Sequence, residues 1–286
     1  MKRKALFIIN PVSGGKGKDD IPQLIQKYLN ADIFNAVIVF STGVAHARQL
    51  AKEAISAYDL VVAVGGDGTV NEIAKPLVNQ QTPIGILPLG SGNGLARHLG
   101  LPLTLEASLK RLFSGTVSTI DSGLLNDIPF FCTAGMGFDA YVGHLFSQQN
   151  SRGLATYINV SFKAYWDYQP QSFKVNGLDT NAFSLTFANA GQFGNNAWVA
   201  PHANLQDGIL DVCTISPFPK WFGTSLAYQL FTKQLKPSAY ISYQSVTEIT
   251  VETEKPPMIH YDGEPLQLDT CEIKVKINPQ SLNVII

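Results

Sequence analysis

The chain has 286 residues, with 21 lysines and arginines against 22 aspartates and glutamates, so its formal net charge is −1. This length supports one large domain or two of average size with buried cores. The near-neutral charge excludes a broad basic surface for nucleic acid and an acidic solvating tail. Charged residues make up only 15% of the chain, against roughly 25% in typical soluble domains.

Two further classes of protein are excluded by short patterns. No apolar run reaches the roughly 18 residues of a membrane-spanning helix, and the apolar stretch near the start, Ala5–Ile9, is too short for a secretory signal. The three cysteines (Cys132, Cys213 and Cys271) are widely spaced, which argues against a disulfide framework or a zinc site. We therefore expect a cytoplasmic protein, with peripheral association at the inner membrane face left open.

The first third of the chain alternates strands and helices. Apolar runs predict strands at Leu6–Ile9, Val37–Phe40, Leu60–Val64 and Ile84–Leu87. Helical spacing predicts helices at 21–28, with Asp19 or Asp20 as the cap, and at His46–Ala57, Asn93–Leu99 and Leu105–Phe113. This order predicts an α/β domain, Rossmann-like, with a mostly parallel sheet that binds ligands beyond the carboxyl ends of its strands.

Beyond about residue 120 the pattern becomes antiparallel. Short segments rich in β-branched and aromatic residues, separated by Asn-Gly and Asp-Gly turns, predict strands at Ser172–Val175, Phe183–Ala188, Ile209–Ile215, Ser245–Val251, Met258–Tyr261 and Ile273–Ile277. Helices are expected at Leu154–Tyr165 and Trp221–Phe231. We place the α/β domain at 1–122 and a β-sandwich domain at 123–280. Whether 281–286 returns to complete the first domain is left open.

A glycine-rich turn follows the first strand, at Asn10–Lys18. It is similar to a phosphate-binding loop, but its lysines lack the Ser or Thr partner that would bind magnesium. A flexible strand-to-helix turn explains the segment equally well.

A more specific loop, Gly-Gly-Asp-Gly-Thr at 65–69, follows the strand expected to be most buried and opens a helix. Consecutive glycines let backbone N–H groups approach an anion, and a helix start favours phosphate. Asp67 or Thr69 could instead simply cap the helix, but a cap does not need three surrounding glycines. A third loop of the same design, Gly-Ser-Gly-Asn at 90–93, follows the next strand. Together the loops predict a nucleotide site in which Ser91 and Asn93 are hydrogen-bonding groups; the alternative for Asn93 is a helix cap.

These motifs resemble the catalytic domain of diacylglycerol and sphingosine kinases. The resemblance rests on Asn-Pro-x-Ser-Gly at 10–14, Gly-Gly-Asp-Gly-Thr at 65–69 and Gly-Ser-Gly-Asn at 90–93, and continues with Asp121, Asp-Gly-Ile-Leu-Asp at 207–211 and Asp-Gly-Glu at 262–264. It therefore spans nearly the whole chain. It implies an ATP-dependent lipid kinase whose site lies in the cleft between an α/β domain and a β-sandwich.

The resemblance also implies roles for single residues. ATP would be held by residues of the glycine loops and their neighbours: Asn10, Ser13, Gly65, Gly66, Asp67, Gly68, Thr69, Ser91 and Asn93. Asn71 and Glu72 lie near the same phosphates, in the first turn of the following helix. Thr42, just after the second strand, is a further candidate for nucleotide contact, and a cap of the helix at His46 is the equal alternative.

Phosphoryl transfer needs alignment, Mg²⁺ and a group that accepts the proton of the attacking hydroxyl. Asp67, Asp121 and Asp207 resemble the acidic, water-mediated magnesium network of the family, with Asp211 as a weaker fourth member. Glu264 is the favoured base and Asp262 is close behind it, with Asp67 also open. The segment around Asp262 is at the same time a good β-hairpin signal, with Asp-Gly at the turn.

Other readings stay open. Gly94 replaces an Asp found in many bacterial members, so the acceptor lipid, diacylglycerol or a sphingoid base, is undecided. An NAD kinase-type enzyme and a non-catalytic nucleotide-binding module are the alternatives. The segment Leu154–Trp166 is a candidate for membrane approach, with core packing as its alternative, and Trp166, Trp198 and Trp221 are expected in core or cleft walls. The sequence leaves the oligomeric state open, a homodimer included.

Overall fold

A computed structural model of the protein describes residues 2–13, 20–43, 45–149 and 153–286. The chain divides into two compact units. The first comprises Met1–Ile120 together with Gln280–Ile286, and the second comprises Asp121–Pro279. The chain therefore passes from one unit to the other twice.

The first unit is an α/β domain, as the sequence predicts. Its elements are β1 (Arg3–Ile9), α1 (Ile21–Tyr28), β2 (Phe34–Phe40), α2 (His46–Ala54), β3 (Leu60–Gly65), α3 (Asp67–Leu77), β4 (Ile84–Pro88), α4 (Gly94–His98) and α5 (Leu105–Ser114). The strands pair in parallel in the order β2-β1-β3-β4. All the carboxyl ends of these strands therefore point to one edge, and each is followed by a loop and a helix.

The core of this unit explains why these segments fold as they do. Every residue of β3 is buried, which fits a strand covered on both faces. Helix α1 turns Ile21 and Ile25 into the core, as its helical spacing predicts. Asp20 is the residue before α1, but its side chain makes no capping hydrogen bond, and Asp19 lies outside the described residues.

Helix α2 ends at Ala54, three residues before the predicted end at Ala57. Ser56 has a φ of 67°, and this left-handed conformation cannot continue a right-handed helix.

The second unit is built largely from antiparallel strands. Its elements are β5 (Val117–Leu125), β6 (Ile128–Phe130), β7 (Thr133–Gly137), α6 (Phe138–Ser147), α7 (Leu154–Asp167), β8 (Gln171–Val175), β9 (Leu178–Ala182), β10 (Ser184–Ala188), β11 (Leu210–Ile215), α8 (Phe222–Phe231), β12 (Ile241–Val246), β13 (Glu248–Glu252), β14 (Met258–Tyr261), β15 (Glu264–Gln267) and β16 (Glu272–Ile285). Strands β5 and β16 begin or end in the first unit.

Two sheets enclose the core of the second unit. One has the order β12-β11-β10-β7-β14-β15, and in the other β16, β13, β8 and β9 are successive neighbours. Side chains of both sheets, such as Met136 and Phe187 from the first and Val251 and Val275 from the second, form one buried cluster. This is the β-sandwich that the sequence predicts.

The predicted strand at Ser245–Val251 is two strands in the structure. β12 ends at Val246 and pairs with β11, whereas β13 begins at Glu248 and pairs with β16 in the other sheet. The chain thus changes sheet at Thr247, and a continuous run of strand-forming residues does not reveal such a change.

The end of the chain lies in the first unit. Within β16, residues 272–276 pair antiparallel with β13, whereas Val284 lies parallel to Ile84 of β4. Gln280, where the first unit resumes, has a φ of 47°, which marks the bend between the two pairings.

Among the described residues, none of the helices has the length and apolar character that crossing a bilayer requires.

The cysteines form no disulfide, and one of them allows a test of the core. Burial raises the pKa of the Cys213 thiol to about 12, so at pH 8 only about one molecule in 10⁴ carries the reactive thiolate. We expect iodoacetamide to alkylate the half-buried Cys271 of the native protein and to spare Cys213, as read by mass spectrometry of the digested chain. In urea both should react. Equal labelling of the two in the native protein would contradict this packing.

Candidate active site

Two glycine loops lie against each other at the carboxyl edge of the parallel sheet. The first joins β3 to α3, and the second joins β4 to α4. A Cβ added to Gly90 would lie 2.6 Å from the Cα of Gly66, and one added to Gly66 would lie 3.1 Å from the Cα of Gly90. The two backbones can approach this closely only without side chains. The glycines of the two motifs therefore serve one packed arrangement.

Asp67 ties the two loops together. Its Oδ1 accepts a hydrogen bond of 2.6 Å from the backbone N–H of Gly94, at the start of α4. Asp67 itself is the first residue of α3, and Gly66, in an extended conformation, precedes the helix. The carboxylate thus holds the second loop at the N-terminal end of α3, where backbone N–H groups favour an anion.

Asn93 shapes the second loop from within. Its side chain accepts from the N–H of Gly90 at 2.9 Å and donates to the carbonyl of the same residue at 2.7 Å. Its left-handed backbone (φ 51°) precedes α4, but the side chain makes no capping bond. The side chain therefore closes the loop and does not cap α4, and its contact with a nucleotide stays a prediction. Ser91, at the tip, is exposed.

The start of the first glycine-rich turn is joined to the same site. Asn10 donates from Nδ2 to Oγ1 of Thr69 at 2.9 Å, and its Oδ1 accepts from the N–H of Val12 at 3.1 Å. Ser13, half-buried, donates from its backbone N–H to the carbonyl of Asn10. Residues 14–19, with both lysines of the proposed phosphate loop, lie outside the described residues. Asn10 therefore connects the end of β1 with the Gly-Gly-Asp-Gly-Thr motif.

The remaining nucleotide candidates of this unit have partners in the protein. Thr42 is exposed, and both its N–H and its Oγ1 lie 3.0 Å from Nδ1 of His46. Ala45, and not Thr42, is the residue before α2. Oε1 of Glu72 lies 3.4 Å from the N–H of Ala45, which links α3 to the start of α2. Asn71 is buried in the first turn of α3.

In the second unit, Asp121 is fully buried and touches the segment that carries Asp207. Its Oδ2 accepts a 2.8 Å hydrogen bond from the N–H of Gly208. Asp207 is exposed, and its Oδ1 accepts from the N–H of Ile209 at 3.1 Å, which forms a tight turn. Asp121 and Asp207, two of the predicted magnesium residues, are 86 positions apart in the chain. The hydrogen bond to Gly208 brings Asp121 next to the turn that carries Asp207.

Asn189 is a residue of this region that the sequence did not single out. It is fully buried, and its Nδ2 donates to the carbonyls of Asp121 at 3.0 Å and Phe131 at 2.9 Å. Its Oδ1 is buried without a hydrogen-bond partner among the described residues. An isolated Asn between two apolar strands carries no motif, so only the fold reveals it.

Asp211 has a different environment. It lies on β11 opposite Ser245 of β12, and its Oδ1 accepts from the Ser245 hydroxyl at 2.9 Å. Within the described part of the chain, no three His, Cys, Asp or Glu side chains gather as they would around a metal ion. Within the second unit, Asp121, Asp207 and Asp211 therefore do not form a direct carboxylate cluster, and the water-mediated magnesium network stays a prediction.

The predicted hairpin around Asp262 and Gly263 is present. Strands β14 and β15 pair from Tyr261 and Glu264 outward, and both turn residues have positive φ, 47° and 84°. This combination is the two-residue turn that Asp-Gly favours.

The side chain of Asp262 anchors this turn to the segment before β7. Its carboxylate accepts backbone N–H bonds from Phe131 at 2.9 Å and Cys132 at 2.7 Å, with Thr133 at 3.3 Å. The backbone N–H of Asp262 donates in turn to the carbonyl of Thr133. Asp262 therefore holds Glu264, which is exposed at the start of β15, in a fixed position.

This anchoring allows a prediction about stability. In Asp262→Ala, buried N–H groups of residues 131–133 lose their acceptor, and each such loss costs about 1–3 kcal/mol. We expect the free energy of unfolding to fall by roughly 2–5 kcal/mol, measured by urea unfolding. Asp262→Asn keeps one acceptor oxygen and should lose less. An unchanged urea midpoint in Asp262→Ala would show that these bonds contribute nothing.

Comparisons with known proteins follow the same division of the chain. Residues 4–125 match the family described as diacylglycerol kinase catalytic domain. Residues 132–286 match the family described as YegS C-terminal NAD kinase beta sandwich-like domain. The chain belongs to the YegS-like lipid kinase family. A relative from Chromohalobacter salexigens, named probable lipid kinase YegS-like, is 30% identical over 78% of this chain and 74% of its own length.

Solved structures show the same lipid kinase fold. A putative diacylglycerol kinase from Bacillus anthracis superposes with a TM-score of 0.80 at 22% identity, covering 99% of this chain and 96% of that one. An NAD kinase from Archaeoglobus fulgidus in complex with ATP gives a TM-score of 0.54 at 14% identity, covering 99% and 93%. The two enzyme classes thus share the fold, and the fold alone does not separate them.

This lipid kinase also contains a buried polar cluster that the sequence left unassigned. Oδ2 of Asp139 lies 3.1 Å from Nε2 of His260 and accepts from the Thr186 hydroxyl at 2.9 Å. Burial, reinforced by the charge of Asp139, raises the pKa of Tyr157 to about 12. His260, two residues before Asp262, is therefore a buried histidine whose ring nitrogen has a hydrogen-bond partner in Asp139.

Proposed function

We propose that the protein is a kinase that transfers the γ-phosphate of ATP to the hydroxyl of a lipid of the diacylglycerol or sphingoid type. The observation that carries the proposal is the paired glycine loops joined by Asp67 and Gly94, in a chain of the YegS-like lipid kinase family. Phosphoryl transfer depends mainly on positioning and charge stabilisation. A rigid set of backbone N–H groups at a helix start provides both for a phosphate chain.

The nucleotide is assigned to the first unit. Gly66–Thr69 offer backbone N–H groups at the start of α3, and Ser91 offers an exposed hydroxyl on the second loop. Asn93 and Asn10 act indirectly, because their side chains hold the loops in shape. Thr42, whose N–H and hydroxyl contact His46, remains a candidate for the sugar or base.

Mg²⁺ is assigned to Asp121 and Asp207. Their carboxylate oxygens are donors of the kind that Mg²⁺ prefers, and Mg²⁺ usually keeps several waters. The Oδ1 of Asn189 is buried and has no partner in the described part of the chain, and the amide N–H of the same side chain donates to the Asp121 carbonyl. This Oδ1 is a third oxygen, to which a metal-bound water would donate a hydrogen bond. When bound, the ion neutralises charge on the phosphates. Asp211, paired with Ser245, is left as a structural residue.

Glu264 is assigned as the base. The lipid hydroxyl oxygen attacks the γ-phosphorus of ATP, and the bond from that phosphorus to the β,γ-bridging oxygen breaks. ADP leaves, and the hydroxyl proton passes to the Glu264 carboxylate and then to water. Asp262 is less suited, since its carboxylate already accepts several backbone N–H bonds. Asp67 is occupied in part by Gly94.

The test is an ATP phosphotransfer assay with mixed micelles that contain diacylglycerol, a sphingoid base, ceramide or phosphatidylglycerol, with NAD as a soluble acceptor. We expect Mg²⁺-dependent transfer to one of the lipids and none to NAD. Transfer to NAD alone would identify an NAD kinase. Tight ATP binding without transfer to any acceptor would indicate a nucleotide-binding module.

A further inference from the structure

Helix α7 leaves a row of large apolar side chains uncovered. Leu154, Ile158, Phe162 and Trp166 follow one another at four-residue spacing, which places them on neighbouring positions of one helix face. Phe162 is 63% exposed and Trp166 is 54% exposed. The core packing considered for this segment is therefore wrong for these residues.

The opposite face of the same helix fills the core instead. Val160 and Ala164 are buried. Tyr165, three positions after Phe162 and therefore beside the row, packs its ring against Phe138 and Phe218. α7 thus has its stabilising contacts already. Trp166 contacts the rings of Phe162 and Tyr165, but Phe162 and Trp166 both remain more than half exposed, and this exposure needs another explanation.

The row continues onto α8. Nζ of Lys220 donates to the carbonyls of Tyr165 at 2.6 Å and Trp166 at 3.2 Å, and the Tyr165 hydroxyl donates back to the Lys220 carbonyl. Trp221, the next residue, is 72% exposed. Tyr228, seven positions further along α8, shares its face and is also exposed. We call this surface the aromatic face: Leu154, Ile158, Phe162, Trp166, Trp221 and Tyr228.

The charges around the aromatic face are mostly positive, with exposed Asp167 at the end of α7 as the exception. From 140 to 166 the sequence contains no Asp or Glu, and the same holds from 212 to 247. Lysines flank the face in both segments, with exposed Lys163 beside Phe162 and exposed Lys220 beside Trp221. The whole chain carries a net charge of −1, so this local basic bias departs from the average.

We infer that the aromatic face is the surface by which the protein docks on an anionic lipid bilayer. Tryptophan and tyrosine prefer the level of the lipid headgroups, since they combine an apolar ring with a polar atom. Lysines beside them meet anionic headgroups, and an amphipathic helix of this kind lies in the plane of the interface. Docking does not depend on phosphotransfer, so the two can fail separately.

The test measures binding to sedimented vesicles of phosphatidylcholine with and without phosphatidylglycerol. Phe162→Ser/Trp166→Ser should lower the partition coefficient on anionic vesicles by about ten-fold or more. Lys163→Glu should lower it by about five-fold or more, and raised salt should weaken binding of the parent protein. The matched controls, Leu178→Ser on an equally exposed apolar residue (73%) and Lys174→Glu on β8, should bind as the parent does.

Further measurements separate the alternatives. Phosphorylation of a short-chain acceptor dissolved below its micelle concentration should be unchanged in Phe162→Ser/Trp166→Ser, which also shows that the variant is folded. If the parent protein and the two controls bind vesicles, the double variant does not, and none of them transfers phosphate, the proposed function fails and the docking surface stands. Unchanged vesicle binding in the double variant would overturn the inference. Light scattering tests one further alternative. If the parent protein is a dimer and the double variant is a monomer that still binds vesicles, the aromatic face joins two copies of the chain, and the inference is overturned.

Discussion

Asp67→Asn should lose about 10²–10³-fold in kcat/KM for ATP while its urea midpoint stays at the parent value. The reason lies in the bond to Gly94. The amide oxygen of Asn can still accept the Gly94 N–H, so the two glycine loops remain joined. What disappears is the negative charge at the start of α3, which would help to hold Mg²⁺ beside the backbone groups assigned to the phosphates. The substitution therefore tests the charge of Asp67 separately from its hydrogen bond to Gly94.

Two further variants make this result interpretable. Asp59→Asn is the matched control, because the Asp59 carboxylate also accepts one backbone N–H, from Lys4 at 2.7 Å, but lies just before β3, at the opposite end of that strand from the motif. It should keep the parent activity. Asp67→Ala removes charge and bond together and should lower stability as well as kcat/KM. Parent-like transfer by Asp67→Asn would show that the charge is dispensable, and Asp67 would then be a loop anchor only.

The first unit illustrates what periodicity can predict. β3 appears in the sequence as a continuous apolar run, and a run of this kind followed by glycines predicts a buried strand with a loop at its carboxyl end. The bond from Asp67 to Gly94 is a different matter. Asp67 belongs to its motif, and Gly94 directly follows the Gly-Ser-Gly-Asn motif. A hydrogen bond across 27 positions depends on how the two loops pack, which residue spacing does not predict.

The second unit shows the same limit more strongly. Asp-Gly at 262–263 predicts the turn, because both residues tolerate positive φ. The partners of the Asp262 carboxylate lie about 130 positions earlier, in backbone groups that have no sequence signature. Asn189 and Asp139 were missed for a related reason. Their importance comes from burial beside polar atoms, and burial depends on the finished fold.

The burial of the tryptophans is an expectation that residue type alone predicts wrongly. Trp166 and Trp221 were expected in core or cleft walls, since large aromatic residues are usually buried. In the structure both are more than half exposed. The helical period does separate the faces of α7, but it does not say which face meets the core when both are apolar, because Tyr157, Val160 and Ala164 compete with Ile158, Phe162 and Trp166.

Glu264→Gln should reduce kcat for lipid phosphorylation by about 10²–10⁴-fold, the range expected when a general base is lost. Gln has nearly the same shape but cannot take up the proton of the attacking hydroxyl. Because Glu264 is exposed and its turn is held by Asp262, the free energy of unfolding should not change. The KM for ATP should also stay constant, since the nucleotide is assigned to other residues. Single-turnover phosphotransfer with saturating ATP measures the chemical step directly.

The control and the comparison with Asp262 decide between the two carboxylates. Glu254→Gln, an exposed glutamate elsewhere in the same unit, should leave kcat unchanged. Asp262→Asn should lower the free energy of unfolding more than it lowers kcat, because the Asp262 carboxylate accepts hydrogen bonds from the backbone of residues 131–133. Glu264→Gln should lower kcat alone. If the pattern is reversed, with Asp262→Asn folded but inactive and Glu264→Gln active, the base is Asp262, and its backbone bonds would then serve to aim it at the acceptor hydroxyl.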